Sequence, residues 1–122
     1  MAEKVMSYHD LKVWQKGIEL VKTIYLLTRD FPKYETYGLT SQIQRSAVSV
    51  PSNIAEGQTR NSTADFQRFI FIAQGSLSEV DTQIVIAQEL GYLDKAKGQD
   101  VEARILELRR MLYALINSLP KK

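Results

Sequence analysis

A chain of 122 residues, 44% hydrophobic and 25% charged with a formal net charge of only +2, has the size and balance of one domain with a substantial core. It holds no cysteine and a single histidine, His9, so disulfides, thiolate metal sites and cysteine nucleophiles are excluded, and a di-iron bundle with two Glu-x-x-His motifs cannot be built. The charge permits nucleic-acid binding without requiring it. No apolar run approaches the ~18 residues of a membrane span, and the opening MAEKVMSYHD lacks a hydrophobic signal core, so the expected setting is the cytoplasm, away from membranes.

Taken in order, the chain reads as four helices. Ser7 followed by Asp10 has capping-box spacing, and Leu11, Trp14, Ile18, Val21 and Tyr25 then step by three and four, which predicts a first helix over about 8–29 that Phe31-Pro32 stops. The second helix is expected over 37–57, with Ile43, Ala47, Val50, Ile54 and Ala55 on one face and Gly57 as a left-handed cap. Pro51 interrupts it. A proline there removes one backbone donor and costs roughly 3 kcal/mol, so this helix should kink or loosen between Ala47 and Pro51. Ser62 with Asp65 repeats the capping signature before a third helix over 63–91, in which Phe66, Phe69, Ala73, Leu77, Val80, Ile84 and Ala87 keep near-heptad spacing until Gly91. The fourth, 95–119, carries Val101, Ile105, Leu108, Leu112, Leu115 and Leu119. Short loops imply antiparallel neighbours, and the predicted fold is an all-α, up-down-up-down four-helix bundle occupying 1–122 as one domain.

The third helix has more apolar residues than one face can hold. Phe69, Ile70, Phe71 and Ile72 are consecutive, as are Ile84, Val85 and Ile86, and at about 100° per residue each run points round the cylinder. A wide core stripe with a few tolerated exposed residues is one explanation. The other is a second buried face, with Phe69, Phe71, Ile72, Val85 and Ile86 as candidates for a homo-oligomer interface. Small residues at Ala73, Gly75, Ser76 and Ser78 would allow close approach. Gly75 in mid-helix costs about 1 kcal/mol relative to alanine, which close packing would offset.

Candidate nucleic-acid contacts are Lys12 and Lys16, one turn apart on the first helix, with Lys22, Arg60, Arg68, Arg104, Arg109 and Arg110; Asp65, Glu102 and Glu107 are placed to neutralise some of them. If the second turn centres near Arg60, Arg45 lies opposite Ser76 and within one helical turn of Glu79. This predicts an Arg45–Glu79 pair with Gln42 beside it. Asn53 and Glu56 are expected to satisfy backbone groups freed by Pro51. No glycine-rich phosphate loop, nucleophile elbow or second histidine accompanies any carboxylate pair, so no catalytic residue, cofactor or metal is expected and the chain reads as a non-enzyme.

The stretches YHDLKVWQKGIEL, FPKYETYGLTSQIQRSAVSVPSNIAEG, FIFIAQGSLSEVDTQ and LGYL, in this order between Tyr8 and Leu93, resemble the ribosomal-protein-like four-helix bundles encoded in 23S rRNA intervening sequences. Ser41, Gln42, Arg45, Ser49, Pro51, Asn53, Ile54, Ala55, Glu56 and Gly57 match the family's central helix, and Gly75, Ser76, Leu77 and Glu79 its third. Gln44 stands where family members often carry a second arginine. The resemblance implies a non-catalytic bundle assembled as a ring of five subunits, with RNA or DNA, or a nucleic-acid enzyme, as partner. The accessory protein of diversity-generating retroelements, which partners a reverse transcriptase, is similar in fold. Two functions stand side by side: an oligomer that binds structured or rRNA-related nucleic acid, and a scaffold that binds another protein.

Overall fold

The computed structural model describes residues 7–120. Helices occupy Lys12–Thr28 (α1), Leu39–Thr59 (α2), Thr63–Glu89 (α3) and Lys95–Ser118 (α4), with short 3-10 turns at Tyr8–Asp10 and Lys33–Glu35. No strand occurs among the described residues, so the chain is an all-α, four-helix fold.

The start of α1 corrects the expectation from spacing. Ser7 Oγ does accept a backbone N–H, from His9 at 3.0 Å, but the turn it caps is the 3-10 turn. Leu11 is extended, with φ −80° and ψ 125°, so the chain re-enters helix only at Lys12. Gln15 Nε2 donates to the His9 carbonyl at 2.8 Å and ties this turn to α1. The cap of α3 follows its sequence signal, and an aspartate caps α4. Ser62 Oγ accepts from the amide of Asp65 at 3.1 Å and Asp94 Oδ1 from that of Lys97 at 2.9 Å. At the end of α3, Gly91 takes φ +80°, Tyr92 N–H reaches the Ala87 carbonyl at 2.8 Å and Gly91 N–H that of Gln88 at 3.0 Å. This paired arrangement is the Schellman termination that glycine permits.

Gly57 is not a left-handed cap. It is buried inside α2, which continues to Thr59, and a Cβ placed on it would lie 2.7 Å from Phe69 Cβ and 3.0 Å from Phe66 Cδ1. Its missing side chain lets α3 come close to α2. Gly17 does the same on α1: a Cβ there would meet Pro51 Cβ at 3.2 Å. Pro51 is buried within α2, which runs unbroken on both sides of it, and its ring is the surface that α1 meets.

Contacts at both ends of each neighbouring pair fix the topology. Gly17 meets Pro51 while Gln44 donates to Thr28; Ser49 bonds Ser76 while Gly57 meets Phe69; Arg109 bonds Ser78 while Gly98 meets Gln88; and Lys16 and Glu19 of α1 reach Glu107 and Arg104 of α4. In each pair the residue number rises on one helix as it falls on the other, so neighbours are antiparallel and α4 closes back on α1. Between them lies one core, in which Leu20, Ile24, Ile43, Val50, Ile54, Ile70, Leu77, Val80, Ile84, Val101, Leu108 and Leu112 are almost wholly buried. These twelve Val, Leu and Ile side chains, each worth roughly 1.5–3 kcal/mol when removed from water, dominate the favourable side of folding. A smaller cluster of Phe31, Leu39 and Ala87, with Tyr92 against it, seals the end where the α1–α2 and α3–α4 loops meet.

Candidate functional site

The eight candidate cations do not form one patch. Along the seam of α1 and α4, Lys16 pairs with Glu107 at 3.6 Å and Glu19 at 3.9 Å, and Arg104 with Asp100 at 3.1 Å and Glu19 at 4.0 Å. At the α2–α3 turn, Arg60 pairs with Glu56 at 2.7 Å and Arg68 with Asp65 at 3.7 Å. Both guanidinium groups also lie over the Phe69 ring, 4.9 and 4.6 Å from its centroid. Phe69 is therefore half-covered by two cations of its own chain. These pairs are solvent-exposed, each contributing roughly 0–1 kcal/mol to folding. Their larger consequence is to cancel local positive potential. Lys12, Lys22 and Arg110 make no ion pair among the described residues and stand apart from one another on α1 and α4.

Arg109 differs from the rest. Its Nη1 donates to Gln74 Oε1 at 3.2 Å and its Nη2 to Ser78 Oγ at 2.7 Å, so the guanidinium is held only by neutral groups of α3. Gln74 is 7% exposed, and its Nε2 is buried without a hydrogen-bond partner among the described residues. An open groove of about 390 Å³ between α3 and α4 begins beside Arg109 and is bordered by Asp81, Glu102 and Leu106.

The apolar excess on α3 is where the sequence places it. Phe71 is 52% exposed, Ile72 41%, Val85 45% and Ile86 42%, and Gly75 lies between the two pairs with nothing within 4 Å of the position its Cβ would occupy. Gly75 therefore has no packing role inside the chain. A second groove, about 320 Å³, runs along the α2 side of α3 and is bordered by Gln42, Glu79, Gln83 and Ile86.

The motif residues divide differently from expectation. Arg45 and Glu79 are not paired: Arg45 is exposed and its Nη2 donates to Ser41 Oγ at 3.3 Å. The pairing of α2 with α3 is centred near Ser62, so Ser49 and not Arg45 stands opposite Ser76, and their hydroxyls meet at 2.8 Å. Asn53 Nδ2 donates to both the carbonyl and the Oγ of Ser49, each at 2.8 Å. The carbonyl that Pro51 deprives of its donor is Ala47's, one turn away, so Asn53 braces Ser49 instead of replacing the lost bond. Glu56 serves Arg60 and not the backbone. Gln44, in place of a second arginine, donates to Thr28 Oγ1 at 3.0 Å across the α1–α2 seam.

One cluster has no local sequence signal. Glu35 Oε1 accepts the Leu39 amide at 2.9 Å and so caps α2, whose N-cap residue Gly38 has no side chain. Glu35 Oε2 accepts from the Tyr92 hydroxyl at 2.8 Å, and the Tyr34 hydroxyl lies 3.4 Å from that of Tyr92. The amide of Leu39 and then the Tyr92 phenol hold the Glu35 carboxyl below the usual carboxylate range. Tyr34 and Glu35 in turn push the Tyr92 phenol well above its ordinary value. The cluster clamps the α1–α2 loop to the α3–α4 loop.

Among the described residues no group of three or more His, Asp or Glu side chains is placed to hold a metal ion, and no helix is long and apolar enough to cross a membrane. No curated protein matches the chain. A solved structure of a protein of unknown function from the S23 ribosomal protein family of Bacteroides thetaiotaomicron is similar in fold, with a TM-score of 0.77 and 22% identity over 87% of this chain and 99% of that one. The family model for the 23S rRNA-intervening sequence protein matches residues 9–114. That span takes in α1, α2 with Pro51, the α3 face and most of α4, and the chain belongs to the 23S rRNA-intervening sequence protein family.

Proposed function

We propose that the chain is a non-catalytic helical bundle that works as a homo-oligomer assembled through the outer face of α3, and that the assembly presents cations to structured RNA. The observation that supports assembly is the solvent exposure, in a single copy, of Phe71, Ile72, Val85 and Ile86 around a glycine with no neighbour. Large apolar side chains left exposed in two pairs on one face of a helix point to an interaction site on a small domain. A ring of five, the state implied by the family resemblance, is the expected stoichiometry. The RNA reading rests on Lys12, Lys22, Arg109 and Arg110, which no carboxylate neutralises among the described residues, and on symmetry, which would multiply a contact set too sparse to act alone. The scatter of these cations favours a second reading, a protein-binding scaffold or accessory subunit of a nucleic-acid enzyme such as a reverse transcriptase.

Light scattering with the native chain and the variants Phe71→Asp and Ile72→Asp tests assembly. The variants are expected to lose subunits while keeping their helicity, and normal assembly of both would remove the α3 reading. Titration of a structured RNA and a matched DNA duplex at two salt concentrations tests the partner. Binding that weakens steeply with salt supports the nucleic-acid reading, because contacts to phosphate release counterions. An intact oligomer that binds neither at low salt would leave the scaffold reading.

A further inference from the structure

Helices α1 and α2 hold one carboxylate each, and both are taken. Glu19 turns to the α4 seam, where Lys16 and Arg104 reach it at 3.9 and 4.0 Å, and Glu56 is bound by Arg60 at 2.7 Å. Lys22 on the crest of α1, Arg29 at its end and Arg45 on α2 are exposed and make no ion pair among the described residues; Asp30, next to Arg29 in the chain, pairs with none of them. Between the two helices runs an open groove of about 280 Å³, walled by Trp14, Ile18 and Val21 on one side and Val48 and Pro51 on the other, with Tyr8 at its end. None of its lining residues is charged. The rings of Tyr8 and His9, with centroids 5.5 and 4.7 Å from that of Trp14, hold the indole in place.

The cations and the groove share one face. On α1, Tyr25 is four residues beyond Val21 and seven beyond Ile18, and Arg29 four beyond Tyr25, so they continue the line that walls the groove. On α2, Arg45 is three residues before Val48 and seven before Ser52, and continues that line likewise. The Gly17–Pro51 and Thr28–Gln44 contacts fix the register and set Tyr25 at about the level of Arg45. Tyr25 is 45% exposed. From Trp14 to Arg29 the face is about 22 Å long at the rise of an α-helix.

We propose that this face binds an unpaired stretch of RNA, with bases against Trp14 and Tyr25 and phosphates on Lys22, Arg29 and Arg45. The proposal rests on the nucleic-acid reading and adds the face, the strandedness and the contact residues. Charge selects the partner: three cations with no acid between them suit a polyanion, and the uncharged aromatic groove beside them suits flat apolar groups on that same polyanion. A single strand supplies both. In a duplex the bases are paired and stacked, leaving backbone and shape to be read, and they cannot enter the groove. At a stacked spacing of about 3.4 Å, this length takes about six nucleotides, and fewer of an extended strand.

Trp14 is the chain's one tryptophan, so its emission reports on the groove directly. The native chain is titrated at low salt with a ten-nucleotide RNA lacking self-complementarity and with an RNA duplex of the same length. The single strand is expected to bind more tightly than the duplex and to quench Trp14, with log K falling against log salt at a slope of about −2, as three phosphate contacts require. Arg45→Glu and Tyr25→Ala are each expected to weaken binding at least fivefold with helicity and Tm kept. Lys95→Glu, at the start of α4, makes the same change in net charge as Arg45→Glu and is expected to leave binding within about twofold. Binding that leaves Trp14 emission unaltered, or that Arg45→Glu and Lys95→Glu weaken alike, would overturn this face while the nucleic-acid reading stands. A duplex that binds as tightly as the single strand would overturn the strandedness. Failure of both RNAs to bind at low salt would instead defeat the nucleic-acid reading itself.

Discussion

Alanine at Gly57 and at Gly75 should have opposite effects, because one glycine is used inside the chain and the other is not. Each replacement gains about 1 kcal/mol of intrinsic helix propensity. At Gly57 the new methyl would sit 2.7 Å from Phe69 Cβ and 3.3 Å from the Phe66 carbonyl oxygen, atoms that move only with the backbone of α3. Overpacking of this kind costs roughly 1–3 kcal/mol, rising when rigid atoms must shift, so the expected net loss is about 1–2 kcal/mol. At Gly75 nothing lies within 4 Å, so the propensity gain is retained in full. With an unfolding entropy of roughly 2.1 cal/mol/K per residue, a kcal/mol corresponds to about 4 °C in Tm for a chain of this size. Gly57→Ala should then melt some 4–8 °C lower than the native chain and Gly75→Ala about 4 °C higher, by circular dichroism at a concentration low enough to hold monomers. On the proposed assembly through the outer face of α3, the sign for Gly75→Ala should reverse at higher concentration, because its methyl would enter that contact. Equal or greater stability of Gly57→Ala would refute the account of the α2–α3 approach. A Gly75→Ala monomer that is destabilised would show that Gly75 packs within its own chain after all.

Arg45→Ala should change stability by less than about 0.5 kcal/mol, since an exposed side chain bonded to Ser41 strands no buried charge when truncated, and urea titration of the variant checks this. Glu35→Gln should destabilise the native chain at neutral pH and less so in acid. The folded-state pKa of Glu35 is depressed, so its contribution is present above the ordinary carboxylate value near 4.5 and is lost as pH falls through the folded value. Melts of both proteins that converge below that range would fit, and a pH-independent gap would not. Tyr92→Phe removes a phenol whose pKa is raised, so the stability it supplies should be complete below about 10 and fade as pH rises further; a native chain whose Tm is flat across that alkaline range would count against the hydrogen-bonded clamp. Ser49→Ala should cost about 1 kcal/mol, from the lost bond to Ser76 and the loosened Asn53, and should be partly relieved when Ser76 is also replaced, as a double-mutant cycle would read.

Helix number, order and most ends are readable from spacing because a three-and-four apolar repeat has only one stable use in a chain this size. What spacing leaves open are the features that depend on a second element. Glycine signals both a left-handed turn and a close approach: at Gly91 the chain end decides for the first, and at Gly57 the Phe66 and Phe69 side chains of α3 decide for the second. Ser7 followed by Asp10 is a sound cap, yet Leu11 breaks the helix it was expected to begin. The Arg45–Glu79 expectation failed on register. A turn assumed to centre two residues early moves every cross-helix pair by about one helical turn, which is enough to exchange Arg45 for Ser49 opposite Ser76. Tyr92 on Glu35 and Gln74 as a support for Arg109 are contacts across the fold, and single-sequence periodicity carries no trace of either.

The cations show the limit most plainly. Their residue types are consistent with phosphate binding, but Lys16, Arg60, Arg68 and Arg104 each meet a carboxylate of this chain, and only geometry separates them from Arg109, which meets none. Phe71, Ile72, Val85 and Ile86 stay 41–52% exposed, outside the core that Ile70, Ala73, Leu77, Val80 and Ile84 of the same helix fill, so periodicity names the residues of the apolar excess and only the structure says which side of α3 they occupy.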